Sequence, residues 1–304
     1  MTEEEKETVT ETTTDNGYPR LLHHIWIQFN PSKPRGLSDK QLRMVASWRH
    51  FNPNWLQVMW DDAMIERLMQ LYPKWYSVYH SLEHPVQKVD MARLVILWRF
   101  GGLYADVDMV CLKPIDAEIR RLKPNHVYLV HDYKQHKDMP PLATMLYGST
   151  KVNNNLILST PNKSFLWLLL STYDPDQQNP LHNTEMQVVT SFGPYACQQL
   201  GYLVGGYSDF PAGWNLVDPD SFKGPSLELL VHMYKETEFK NQLLAAHGFE
   251  PERCVAVHFH ECSWLSEKED TARSVRRFFI WSFAGPLMTV AVMFTMLGVW
   301  GHGS

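Results

Sequence analysis

No block of basic residues occurs in this sequence. Its 28 Lys and Arg are outnumbered by 33 Asp and Glu, for a formal net charge of -5. A nucleic-acid partner, which calls for a concentrated positive face, is therefore not expected. Cysteine is scarce, and Cys111, Cys197, Cys254 and Cys262 form no CxxC pair. That argues against a structural zinc site. Buried thiols are the ordinary reading, and a Cys254–Cys262 bridge in an oxidising compartment stays open. No basic stretch followed by an apolar run opens the chain, so a cleavable signal peptide is not expected. Apolar side chains are almost missing from residues 1–17, where Glu and Thr dominate. Such a stretch cannot offset its ordering entropy and reads as a solvated tail.

Charge is missing from a second stretch, Phe278 to Trp300. About 20 helical residues cross a hydrocarbon core of about 30 Å, so 278–300 is expected to be a transmembrane helix. Trp281 and Trp300 stand near its ends, where interfacial aromatics are common, and Pro286 is a kink that membrane helices tolerate. Arg273, Arg276 and Arg277 precede this segment and no Lys or Arg follows it. The charge rule would then put the preceding domain on the cytosolic side.

Between these ends the composition is that of a globular core. Eleven Trp and thirteen Tyr serve either that core or a carbohydrate groove. The apolar run Leu21 to Phe29 reads as a strand. Ser38 caps a helix reaching Phe51, Trp55 to Trp60 is a second strand, and Asp61-Asp62 start another helix. Pro85 opens a helix that Gly101-Gly102 stops after Phe100. Leu103 to Val110 is a third strand. Further strands are expected at 127–131, 154–159 and 254–259, with helices near 161–172, 184–203 and 226–246. The alternation predicts an α/β fold with a mostly parallel sheet flanked by helices, and ligands at the carboxyl ends of its strands.

The sharpest chemical signal is Tyr104-Ala105-Asp106-Val107-Asp108. On a strand Asp106 and Asp108 project to the same side, about 7 Å apart. Two carboxylates so placed in an apolar strand call for a cation, and hard oxygen ligands suit Mn²⁺ or Mg²⁺. Upstream, Asp90 and Arg93 are neighbours on one helix face. They form either a local ion pair or a grip on a sugar and a phosphate, a carboxylate for hydroxyls and a guanidinium for oxyanions.

The segments "HHIWIQF", "SWRHFNPNWLQVMWDD" and "QKVDMARLVILWRFGGLYADVDMVCLKPID" resemble glycosyltransferase family 32. That family includes the yeast-type α-1,6-mannosyltransferases and the inositol phosphorylceramide mannosyltransferases, and the glucosylating clostridial toxins share its core. The similarity is dense over roughly 20–116 and resumes at "NNNLILSTPNKSF", "SFGPYA" and "AVHFHECSW". The resemblance implies a GT-A fold over 18–270, a nucleotide-sugar donor and a retaining transfer. It implies that Trp26 lies against the nucleoside and that Asp90 and Arg93 hold the donor sugar. Asp106 and Asp108 would bind metal and diphosphate, and His258 would complete the metal shell or touch the diphosphate. His260 is the alternative to His258. The donor implied is GDP-mannose and the acceptor inositol phosphorylceramide or a related membrane glycan, in a Golgi or ER single-pass membrane protein with a possible regulatory membrane subunit. Transfer of mannose or galactose to a protein glycan, or a silent partner subunit of the same fold, are the alternatives.

Overall fold

A computed structural model of the chain describes residues 12–28, 36–131, 152–174, 191–214 and 225–259. The expected membrane segment 278–300, His260 and Cys262 lie outside these residues. Among the described residues no helix is long and apolar enough to cross a membrane.

In chain order the elements are β1 (Leu21–Ile25), α1 (Asp39–Phe51), β2 (Leu56–Trp60), α2 (Asp62–Gln70), α3 (Pro73–Ser81), α4 (Pro85–Phe100), β3 (Gly102–Ala105) and β4 (Met109–Cys111). Then follow α5 (Asp116–Ile119), β5 (Val127–His131), β6 (Val152–Ser159), α6 (Ser164–Thr172), α7 (Pro194–Val204), β7 (Ser208–Asp209), α8 (Pro225–Met233), α9 (Thr237–Ala246) and β8 (Ala256–His258). Local chemistry sets the boundaries. Ser38 and Gln41 make a reciprocal capping box on α1, and Asp61 accepts from the Met64 amide at the start of α2. Pro85 takes the first turn of α4, and Gly101, at φ 65°, ends it. Gly102, at φ 93°, is required twice over, because a Cβ there would fall on the Leu21 carbonyl oxygen of β1.

Six strands form one sheet in the order β2-β1-β3-β6-β5-β7. β2, β1 and β3 are parallel, and so are β5 and β7. β6 runs antiparallel to both β3 and β5. Five of the six strands therefore run in one direction, the mostly parallel α/β sheet expected, and β6 alone enters it against its neighbours. Side chains alternate between two cores. Tyr104, Ile157, Val127 and Leu129 join α4, α6 and α7 on one face. Leu103, Ala105, Leu156, Leu158 and Tyr128 join Trp48 of α1 and Trp214 on the other. A separate ribbon pairs β4 with β8, antiparallel, with Met109 opposite His258.

Two sequence expectations are corrected. The strand expected from Leu103 to Val110 is broken, because β3 ends at Ala105 and Asp106–Asp108 turn the chain into β4, closed by a bond from the Met109 amide to the Asp106 carbonyl. The helix expected over 226–246 is two helices, interrupted at Tyr234–Glu236. The Thr-rich stretch is packed from Thr12 onward. Thr14 is buried, Thr13 bridges Pro19, and the Asn16 amide donates to the carbonyls of Ile119 and Leu122. Those bonds give its polar groups partners that composition does not reveal. Cys111, Cys197 and Cys254 are buried free thiols.

Candidate active site

Helix α4 crosses the core, and Gln87 together with every residue from Val89 to Leu97 is buried. A charge there must be paired, since an unpaired buried ion loses several kcal/mol of solvation. Asp90 and Arg93 pair with each other at 3.0 Å. Arg93 also donates to the Asn154 carbonyl at 2.7 Å, lies 3.4 Å from Asp106 Oδ1, and stacks over the Tyr104 ring at 4.6 Å. Asn154 returns a bond from its amide to Asp90 at 2.9 Å. The strand alternation explains the stack, because Tyr104 faces the α4 side of the sheet. Its hydroxyl donates to Asp106 Oδ1 at 2.6 Å. Among the described residues Arg93 Nε is buried without a hydrogen-bond partner.

Charge states follow from this packing. Burial pushes the Asp90 carboxyl up to about 6 against the pull of Arg93. Burial opposes the Arg93 charge, but Asp106, Tyr104 and Asp90 outweigh it and raise its pKa further. Asp106 is raised by burial, with Arg93 opposing.

The turn after β3 carries Asp106 and Asp108, and the ribbon brings His258 to them. His258 Nε2 lies 3.2 Å from Asp108 Oδ1 and 4.0 Å from Asp106 Oδ2. One atom from each residue falls within 4.8 Å of the others. Asp106 keeps 25% of its side-chain surface open, Asp108 14% and His258 8%. Two carboxylates at this spacing with an imidazole fit a divalent cation, which would offset charge that Arg93 alone compensates only in part. For His258 burial opposes protonation, but the charge and hydrogen bond of Asp108 raise its pKa.

Behind the turn, two buried histidines hold β3 at both ends. Trp60 Nε1 donates to His23 Nδ1, which leaves Nε2–H to donate to the Gly101 carbonyl at 2.9 Å. The Gln57 amide donates to His24 Nε2, and Nδ1–H donates to the Ala105 carbonyl at 2.7 Å. Burial lowers both to about 4, so both rings are neutral.

Residues 38–128, which include Asp90, Arg93, Asp106 and Asp108, match the family described as "Glycosyltransferase sugar-binding region containing DXD motif". That stretch of the chain is similar to the sugar-binding region of DXD glycosyltransferases. Inositol phosphoceramide mannosyltransferase 1 of Schizosaccharomyces pombe is 33% identical over 156 residues, 49% of this chain and 40% of that protein. The initiation-specific alpha-1,6-mannosyltransferase of Candida albicans is 29% identical over 135 residues, 41% of this chain and 34% of that protein. The chain thus spans less than half the length of these curated relatives. Among solved structures, the PaToxG glycosyltransferase aligns at TM-score 0.42 and 17% identity, over 76% of this chain and 79% of that one.

The DXD turn, Asp90, Arg93 and His258 form one cluster. Trp26 stands at the carboxyl end of β1, half-buried, its amide bonded to the Trp60 carbonyl. Because β1 and β3 are parallel and in register at His23–Tyr104, Trp26 and Asp106 both follow the carboxyl ends of adjacent strands. Sequence reasoning missed Tyr104, Asn154 and Asn155. The visible signal was three consecutive asparagines, 153 to 155, heading the apolar run Leu156–Leu158. Polar residues in a buried strand need partners.

Proposed function

We propose that this chain is a retaining, metal-dependent hexosyltransferase of GT-A type that takes mannose from GDP-mannose. Its acceptor is inositol phosphorylceramide or a related membrane glycan. The observation that carries this reading is the single cluster in which Asp106, Asp108 and His258 face one point while Arg93 links Asp106 to the buried Asp90.

In this reading Asp106, Asp108 and His258 hold Mn²⁺ or Mg²⁺. When bound, the cation neutralises charge on the departing nucleoside diphosphate. Asp90, ionised near neutral pH, accepts hydroxyls of the donor sugar. Arg93 is fixed by Asp90, Asn154 and Tyr104, and it presents a preorganised positive charge toward the diphosphate. Trp26 supports the nucleoside. The enzyme domain extends to 270, with residues 12–17 packed onto it, and is anchored by 278–300 in a Golgi or ER membrane beside its lipid acceptor. The relatives named as inositol phosphoceramide mannosyltransferases support this choice of acceptor.

The test is a panel of GDP- and UDP-sugars incubated with purified full-length protein, Mn²⁺ and detergent-dispersed inositol phosphorylceramide, with and without EDTA. Mannosylated lipid that forms only with GDP-mannose and vanishes with EDTA is the expected result. Undiminished transfer in EDTA would reject the cation. Metal-dependent binding of a donor with neither transfer nor hydrolysis would recast the chain as a silent partner subunit.

A further inference from the structure

Asn154 is accounted for by Asp90 and Arg93, but its neighbour Asn155 does nothing in the chemistry above. Its side chain is directed at the cation cluster from the opposite side of β6. Asn155 is 1% exposed. Its carbonyl accepts from the Asp106 amide at 2.9 Å, and its own amide nitrogen donates to the Asn153 side chain. Its side-chain Nδ2 lies 2.7 Å from His258 Nδ1. One buried residue therefore holds both the first carboxylate of the DXD turn and the histidine that β8 brings to it.

We infer that Asn155 is a positioning residue that sets which nitrogen of His258 carries the proton, and so whether His258 can ligate a cation. The inference rests on the metal reading above. With Nδ2 donating, Nδ1 must accept, so the proton of the neutral ring sits on Nε2 and faces Asp108 Oδ1 at 3.2 Å. That tautomer suits the cluster without a cation. A ligating His258 must instead offer its Nε2 lone pair, which moves the proton to Nδ1. Metal-bound histidines donate that second N–H to an acceptor that fixes the ring. Asn155 supplies such an acceptor by a half-turn of its amide, which exchanges nitrogen for Oδ1 without changing the shape it fills. An aspartate at 155 could accept in the ligating state but could not serve the other tautomer. An alkyl side chain could serve neither.

The experiment is calorimetric titration of the full chain with MnCl₂ alone, without donor. Wild type should bind, and Asp108→Ala should not. Asn155→Ala and Asn155→Leu should weaken Mn²⁺ by about 10- to 100-fold, read on protein whose circular dichroism spectrum shows that it is folded at the titration temperature. Asn155→Asp should bind at least as tightly as wild type, a rescue that a purely space-filling role would not give. Wild-type affinity in the alanine and leucine variants, or an aspartate variant as weak as alanine, would overturn the inference while leaving the metal reading intact. A wild type that binds no Mn²⁺ would sink both. An independent arm needs no substitution. In protein with ¹⁵N-labelled histidine, the His258 ring should change from the Nε2–H to the Nδ1–H form as Mg²⁺ is added, and an unchanged tautomer at saturation would refute the assignment.

Discussion

Arg93 is the most widely shared side chain of the site. It meets Asp90, Asp106, the Asn154 carbonyl and the Tyr104 ring at once. A planar fork can hold these directions together, whereas an ammonium is a point charge. Arg93→Lys should therefore abolish transfer while keeping the charge, and near wild-type kcat/KM in that variant would return Arg93 to a structural role. Asp106→Ala and Asp108→Ala should each lower transfer by about a thousandfold or more, the scale of lost leaving-group stabilisation. Both should keep a wild-type circular dichroism spectrum, because these residues sit on a partly open turn. Normal turnover in both would remove the cation from the reaction.

At the scale of elements, β3 is held by His23 at Gly101 and by His24 at Ala105, and that grip is sensitive to acid. Both rings are lowered by burial to about 4, so between about 6.5 and 4 the unfolded chain binds more protons than the folded one. Stability is full above 6.5 and falls as pH drops through this window. A shift of this size is worth about 3 kcal/mol per histidine at full effect. Asp90, raised to about 6, works in the opposite direction and offsets part of the loss. Urea midpoints measured from pH 7.5 to 4.5 should fall, and His23→Gln should flatten the decline. Equal slopes in the two proteins would contradict this account.

The same scale shows what was legible in the sequence. Helix ends were readable because their signals are local. Ser38 with Gln41, Asp61, Pro85 and Gly101-Gly102 each act within a turn of the boundary they set. Strand direction was not readable, because a run such as 152–159 carries the same side-chain pattern whichever way it enters a sheet. Helix α3 has no comparable local signal, because its aromatic-rich stretch has Pro73 at its first turn but no side-chain cap. The acidic pair was found, but its turn was not. Asp106 and Asp108 look like strand neighbours until β8 pairs with β4, more than a hundred residues away in sequence. His258 entered only through resemblance, and Asn155 had no local signal beyond its place in an asparagine run.

For the whole molecule, the proposed membrane anchor admits two orientations of the domain, and the sequence carries a reporter that separates them. Asn162-Lys163-Ser164 is the one acceptor sequence of N-x-Ser/Thr form whose middle residue is not proline. Asn162 is exposed, at φ 60° in the turn between β6 and α6. A lumenal domain, which the proposed Golgi location predicts, would carry a glycan there, and arginines 273, 276 and 277 argue for the cytosolic side. The expected outcome in secretory-pathway expression is a mobility shift on glycosidase treatment that Asn162→Gln abolishes. A domain digested by protease in sealed vesicles and free of glycan would place it in the cytosol.

The side chains of the cluster come from two different sheets. Asp106 closes a strand of the six-stranded sheet, while His258 ends the ribbon strand β8, whose following residue, Phe259, bonds through its amide to the Asp108 carbonyl. The proposed cation, if shared among them, would be a cross-link as well as a reagent, tying a short two-stranded ribbon to the larger scaffold. Ribbons of this length open readily when alone. Saturating Mg²⁺ should slow deuterium uptake across 254–259 far more than in β5, and Asp108→Ala should erase the difference. Metal supply would then set how long β8 stays paired with β4, as well as how fast sugar moves.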